Sequence, residues 1–159
     1  AMNVNRGFAD FLELGHFEGR PSIPTDSNAM DVGDPSNLER IRWLYRDDYE
    51  RLRQDVNGVS VTDEETRTCI SDLYDRTGYV LDPHTAVAYR ALERQDGYRT
   101  GPAVVIATAH PAKFPEVVER AIGRKVPLPE GIASVMGAEE HMDEIPAELD
   151  ALRAVLEAN

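Results

Sequence analysis

The chain has 159 residues, enough for one domain with a substantial core, and 42% of them are hydrophobic. It carries 17 Lys and Arg residues against 29 Asp and Glu residues, which gives a net charge of −12. This balance disfavours the basic surfaces that bind nucleic acids or anionic membranes, so we expect neither partner. No apolar stretch could span a membrane and no secretory pattern is present, so we expect a cytoplasmic protein.

The cysteine and histidine content limits which disulfides, metal sites and nucleophiles the chain could contain. The single cysteine, Cys69, excludes an internal disulfide and a multi-cysteine zinc site. The four histidines lack ligand spacing, so we expect no metal site. Cys69 falls on the apolar stripe of a predicted helix, which favours an inert packed thiol over a nucleophile. The nucleophile elbow, the phosphate loop and the dinucleotide-binding glycine motif are all absent from the sequence.

The first third of the chain predicts loops and then a helix. Residues 1–36 are rich in glycine and proline and predict a loop-rich segment with one short helix at 8–14. Ser36 with Glu39 three residues later is typical of a capping box. It predicts one long helix that continues to a turn at 57–58.

Two further helix starts carry strong local signals. Thr62 with Glu65 predicts a second capping box, and Gly78 predicts the end of that helix. Asp82 followed by Pro83 predicts an N-capped helix, because proline is favoured at the first helical position.

Residues 102–108 form an apolar run that predicts a strand buried on both faces. Such a strand needs partner strands, and the chain offers no comparable run. We therefore expect a helix-rich part of an α/β fold whose other strands lie outside this chain or in a second copy. His110 and Pro111 predict a further helix that ends at Gly123, and a last helix is predicted at 147–157.

Three longer motifs occur in order along the chain, at Ser27–Asn37, Gly78–Tyr89 and Thr108–Pro115. Taken alone, they predict a structured loop, a capped helix start and a strand-to-helix junction. The junction is the most informative, because open α/β sheets bind ligands where strands end and helices begin. Lys113 is unfavourable beside a helix N-terminus, so it is either solvated or close to a negative group. His110 is either an N-cap-region residue or a site residue.

In this order and spacing, the motifs resemble the C-terminal part of the threonine synthase family over essentially the whole chain. The segment Asn3–Asn5 is also similar to that family. The resemblance implies the helix-rich C-terminal part of the large domain of a fold-type II pyridoxal phosphate (PLP) enzyme. Residues 1–36 would lie at the active-site edge, and 37–159 would complete the large domain without an independent second domain. The implied reaction is that of a lyase in threonine biosynthesis, which converts O-phosphohomoserine and water to threonine and phosphate.

The resemblance also implies roles for individual residues. Thr108 matches the family threonine whose hydroxyl meets the pyridine nitrogen of PLP, which it would leave largely unprotonated. Asn3 and Asn5 match a family loop close to the cofactor. Further candidates for contacts with substrate, or for support of the site, are His110, Lys113, Arg20, Ser27 and Asn28.

The resemblance does not extend to the residues that would bind PLP covalently and hold its phosphate. The family's Schiff-base lysine lies upstream and is followed by aspartate, whereas Lys113 precedes Phe114 and Lys125 precedes Val126. The glycine-rich loop for the PLP phosphate is also missing. We therefore expect an incomplete PLP site, no catalytic residue in this chain and no activity of the chain alone. Two alternatives stay open: a non-catalytic module that binds or self-associates through an exposed sheet edge, and a split enzyme whose other chain supplies the lysine.

Overall fold

The computed structural model describes residues 1–95 and 100–158 and is predominantly helical. The α-helices in these residues are α1 Gly7–Leu14, α2 Leu38–Tyr45, α3 Tyr49–Asp55, α4 Asp63–Thr77, α5 Pro83–Glu93, α6 Pro115–Ile122, α7 Glu130–Ala133 and α8 Leu149–Ala158. Short 3₁₀ turns occur at Asn28–Met30 and Pro111–Lys113. The chain divides into two compact units, Ala1–Pro127 and a second that begins at Leu128. The boundary expected after residue 36 stays a prediction.

Helix α4 is the centre of the first unit and begins and ends as the sequence predicts. The Thr62 side chain accepts a hydrogen bond from the Glu65 backbone N–H, and the Glu65 carboxylate accepts one from the Thr62 N–H at 2.9 Å. This confirms the capping box, and the backbone hydrogen bond helps to lower the pKa of Glu65. The helix ends at Gly78, whose φ of 74° suits a residue without a side chain.

The core of the first unit forms where α4 packs against α5 and α6. Ile70 of α4 is fully buried together with Ala86 of α5 and Val118 of α6. A second apolar cluster joins α1, α2 and α3, and its buried members are Phe11, Leu12, Leu38 and Leu52. Both clusters come from helical stripes rather than from a sheet.

The predicted long helix is two helices in the structure. Arg46 and Asp47 follow α2 with φ of 54° and 56°, and this left-handed backbone ends the helix without a glycine. The Asp48 side chain then accepts a hydrogen bond from the Arg51 N–H and caps α3. The capping box expected at Ser36 is also wrong, because the N-terminus of α2 has no side-chain cap.

The buried strand expected at residues 102–108 is wrong. Across residues 1–95 and 100–158 the structure has no named strand, and its β-type pairing is an isolated parallel bridge between Met2 and Ser60. Val104 is 83% exposed and Ile106 is 68% exposed. A strand needs neighbours for its backbone hydrogen bonds, and the described part of the chain provides none to this run. The expected self-association through a sheet edge therefore has no support in the structure.

The helix expected after His110 begins later than predicted. Pro111 opens a short 3₁₀ turn, and α6 starts only at Pro115. The second proline lacks an N–H group, so the chain begins a new helix with proline at its first position. The predicted end at Gly123 is confirmed, with φ of 70°.

The second unit contains α7 and α8. Helix α8 confirms the last predicted helix, and its leucines Leu149, Leu152 and Leu156 are all exposed. None of the helices in the described residues is long and apolar enough to cross a membrane.

Two isoleucines provide a matched test of this core. Ile70→Ala should lower the free energy of unfolding of this chain by about 2–5 kcal/mol, because it leaves a cavity between α4, α5 and α6. Ile106→Ala should change it by less than about 0.5 kcal/mol, because Ile106 is exposed. Urea unfolding followed by circular dichroism measures both. An equal loss in the two variants would contradict this packing.

Candidate functional site

A buried hydrogen-bond network joins the two predicted asparagines to the loop around Ser27. Asn3 is only 1% exposed. Its side-chain nitrogen Nδ2 lies 2.7 Å from Asp31 Oδ1 and 3.1 Å from Ser27 Oγ. Its Oδ1 accepts hydrogen bonds from the backbone N–H and the side-chain Nδ2 of Asn5, at 2.9 and 3.0 Å. The structure thus brings Asn3, Asn5 and Ser27 together, and the Asn3 amide is fully engaged within the protein.

Two members of this network, Thr25 and Asp31, were not identified as site residues from the sequence. Asp31 Oδ1 accepts a hydrogen bond from Thr25 Oγ1 at 2.7 Å, and Asp31 Oδ2 accepts one from the Thr25 N–H at 2.8 Å. Asp31 Oδ1 also lies 3.1 Å from Asn5 Nδ2. A carboxylate that accepts several hydrogen bonds fixes the groups around it. The density of small polar residues was a signal for this loop, but nothing local marks Asp31 as its centre.

The same loop is fixed on α4 through Asp26. The Asp26 carboxylate forms an ion pair with Arg67, and its backbone N–H donates a hydrogen bond to Asp63 Oδ1 at 3.2 Å. Partial burial raises the pKa of Asp63, against the opposing effect of that hydrogen bond. Asn28 lies in the 3₁₀ turn that follows Ser27 and is exposed.

Arg20 closes the base of this loop. Its backbone N–H donates a hydrogen bond to the Gly33 carbonyl oxygen at 3.0 Å. A Cβ at Gly33 would lie 1.8 Å from the Arg20 carbonyl oxygen, so the close approach requires glycine. The Arg20 guanidinium forms an ion pair with Asp10 at 2.9 Å. The positive charge of Arg20 is therefore paired with a carboxylate of the same chain.

His84 connects the three sequence motifs. The Asp82 side chain caps α5 by accepting the His84 N–H at 2.9 Å, which confirms the predicted helix start. On the ring, Nδ1 lies 3.0 Å from Asp82 Oδ1, and Nε2 lies 3.1 Å from the backbone nitrogen of Ala29. The ring centroid is 4.7 Å from that of Phe114. The helix-start pattern alone had not identified His84 as a site residue.

The third motif presents its predicted residues at the surface. Thr108, His110 and Lys113 are all exposed. His110 Nδ1 accepts a hydrogen bond from the Ala112 N–H at 3.1 Å, so His110 caps the 3₁₀ turn that contains Lys113. In residues 1–95 and 100–158 no hydrogen bond joins these three residues to the asparagine network. Phe114 of the same segment packs its ring on that of His84.

A cavity of about 510 Å³ opens beside Asn5, and its walls include Met2, Phe8, Met30 and Ile41. This volume lies within the range typical of small-molecule sites. No cluster of three or more His, Cys, Asp or Glu residues in the described part of the chain is arranged to hold a metal ion.

The fold and these motifs agree with one known family. A family profile described as "Threonine synthase, C-terminal" matches residues 85–156. A curated threonine synthase from Escherichia coli (strain K12) is 36% identical over 157 residues, which are 98% of this chain and 36% of that protein. The crystal structure of threonine synthase from Escherichia coli superposes with a TM-score of 0.80 at 34% identity, covering 99% of this chain and 36% of that one. The family profile, the curated relative and the solved structure all agree with the C-terminal part of threonine synthase.

A second solved threonine synthase, a PLP-bound structure from Brucella melitensis, superposes with a TM-score of 0.81 at 28% identity. It covers 99% of this chain and 39% of that one. The resemblance to the C-terminal part of threonine synthase is thereby confirmed. The chain spans about a third of the length of the curated relatives it matches.

Two asparagine substitutions test the buried network. Asn3→Ala should destabilise the chain by about 2 kcal/mol or more, because Asp31, Ser27 and Asn5 lose buried hydrogen bonds. The control is Asn57→Ala, because Asn57 is exposed and its hydrogen bond to Gln95 is 3.3 Å long. Urea unfolding should show a change of less than about 0.5 kcal/mol for the control. Similar losses in both variants would mean that the network does not organise this region.

The reactivity of Cys69 tests whether it is an inert thiol. Cys69 is 2% exposed, and burial raises its pKa to about 11. Iodoacetamide at pH 8 should therefore alkylate the folded chain about a hundredfold more slowly than the chain unfolded in urea. Equal rates in the two states would contradict the burial of this thiol and would favour the alternative that Cys69 is a nucleophile.

Proposed function

We propose that this chain forms the C-terminal part of a PLP-dependent threonine synthase, which converts O-phosphohomoserine and water to threonine and phosphate. The observation that carries this proposal is the agreement with the PLP-bound threonine synthase over 99% of this chain, at a TM-score of 0.81. The identity of 36% to a curated threonine synthase over almost the whole chain supports it independently of the fold.

Thr108 is the residue proposed to meet the cofactor directly. A hydroxyl both donates and accepts hydrogen bonds, and the exposed side chain of Thr108 is free to face a ligand, so it fits the pyridine nitrogen of PLP. PLP, when bound, supplies the electron sink for the reaction. Asn3 and Asn5 are engaged with protein partners, so we propose that they support the cofactor by holding the loop around Ser27.

Lys113 is the residue proposed to attract the substrate phosphate. The chain has two lysines, and Lys125 forms an ion pair with Glu119 at 2.6 Å, which contributes to lowering the pKa of that carboxyl group. Within the described residues no carboxylate is paired with Lys113, which is exposed beside His110. Arg20 is a weaker candidate, because its guanidinium is paired with Asp10. Asn28 is exposed and remains a proposed contact at the neighbouring loop, whereas Ser27 is fully buried and is proposed only to support that loop from within.

The chain by itself is proposed to be inactive. Neither Lys113 nor Lys125 is followed by aspartate, which follows the Schiff-base lysine in the family pattern. Without that lysine the chain lacks the group that would anchor the cofactor and transfer protons at the reacting carbon. The alternative of a free-standing, self-associating module is not favoured, because the strand on which it depended does not form in the described residues.

Release of phosphate from O-phosphohomoserine tests this function. A longer polypeptide that contains both this chain and the family's lysine segment should release phosphate with PLP, whereas the 159-residue chain should not. Thr108→Val should lower kcat/KM of the longer enzyme by about tenfold, because it removes one hydrogen bond to the ring, and Thr108→Ser should keep most of the activity.

Two results would contradict the proposal. The first is an absence of phosphate release by the longer, folded, PLP-loaded enzyme. The second is a specific pyridoxyl adduct on Lys113 or Lys125 after borohydride reduction of the 159-residue chain. Peptide mass mapping of the folded and the urea-unfolded chain distinguishes a specific adduct from random modification. A random adduct would appear on both lysines and in the unfolded chain as well.

A further inference from the structure

The imidazole of His84 lies between three segments that are far apart in the sequence. The residue is 4% exposed. Asp82 contacts the ring at Nδ1, the backbone N–H of Ala29 points to Nε2, and the ring of Phe114 packs at a tilt of 53°. Each contact comes from a different one of the three motifs.

The hydrogen bonds determine the state of this ring. The backbone nitrogen of Ala29 can only donate, so Nε2 of His84 must accept and carries no hydrogen. Asp82 Oδ1 can accept at 3.0 Å, so the ring hydrogen lies on Nδ1. His84 is therefore neutral and is held in the Nδ1–H form by the carboxylate on one side and the loop on the other.

The ring is not needed to begin α5. Asp82 Oδ1 already accepts the backbone N–H groups of His84 and Thr85, at 2.9 and 3.4 Å, and its other oxygen accepts the Thr85 hydroxyl. These contacts complete the N-cap without the imidazole. The hydrogen bond from Ala29 to the ring therefore has no part in starting α5. It holds the 3₁₀ turn at Asn28–Met30, which contains Ala29.

We propose that His84 is a positioning residue, which as the Nδ1–H form fixes the turn carrying Ser27 and Asn28 and sets it relative to the segment of Thr108 and Lys113. The link to the first segment is the Ala29 hydrogen bond, and the link to the second is the packing on Phe114. This role rests on the proposed function only where it concerns binding of O-phosphohomoserine. The state of the ring and the hydrogen bond to Ala29 are properties of the chain itself.

Nitrogen-15 NMR of the 159-residue chain tests the ring and the hydrogen bond directly. The spectrum should show the hydrogen of His84 on Nδ1. Ala29 is exposed, so slow exchange of its amide hydrogen depends on this one bond. The amides of Met30 and Asp31 serve as internal controls, because they bond within the turn to Ser27 and Asn28 carbonyl oxygens.

Two amide variants separate the two ends of the ring. His84→Asn keeps a donor near Asp82 but has no acceptor that reaches Ala29, so Ala29 exchange should accelerate by at least about tenfold. His84→Gln can place its carbonyl oxygen where Nε2 lies, so it should restore most of the protection. His16→Asn, at an exposed histidine, should leave Ala29 exchange unchanged.

Several outcomes would overturn the proposal. These are a ring hydrogen on Nε2, unchanged Ala29 exchange in His84→Asn, and no difference between the Asn and Gln variants. Equal loss of protection at Ala29, Met30 and Asp31 in both variants would also overturn it, because the ring would then only support the fold.

Steady-state kinetics of the longer PLP-loaded enzyme test the consequence for substrate. His84→Asn should raise KM for O-phosphohomoserine by about tenfold with a smaller change in kcat, and His84→Gln should stay close to the unmodified enzyme. Equal kinetics in both variants would overturn the role in substrate binding. If the unmodified enzyme releases no phosphate, the proposed function fails, whereas the NMR result still decides the role of His84 within the chain.

Discussion

The buried carboxylate of Asp82 is the group on which the geometry of the candidate site depends. It is almost fully removed from water, and its two oxygens accept hydrogen bonds from backbone, hydroxyl and imidazole donors. A buried carboxylate is tolerated only when it is satisfied in this way. One residue thereby sets the start of α5 and the orientation of His84. Through Nε2 of that ring, one hydrogen bond reaches the backbone of Ala29 in the neighbouring loop.

Buried and exposed polar groups have different tasks in this part of the fold. Asn3 and Asp31 are engaged with protein partners, so they determine shape rather than offer contacts to a ligand. Thr108 and Lys113 are exposed, so their hydroxyl and ammonium groups are accessible from solvent. The sequence motifs of this chain therefore combine buried residues that hold the fold with exposed residues, and only the structure separates the two.

Local signals were sufficient for some elements and insufficient for others. The caps at Thr62 and Asp82 were predictable, because each depends on side chains within three residues of the helix start. The break at Arg46 was not, because left-handed backbone without glycine leaves no local signature. The run at 102–108 has the composition of a strand but not the partners, and partners are non-local. The network of Asn3 likewise spans separations of up to 28 residues, which no short pattern encodes.

The closure between Arg20 and Gly33 has a consequence for the chain's conformational entropy. Two fixed ends restrict the arrangements open to everything between them, and the restriction is already present before any ligand arrives. Any ligand that contacts this loop at its exposed residues then orders side chains rather than a free segment of backbone. The entropy lost on association is smaller for such a preorganised surface, so more of the contact energy remains as affinity.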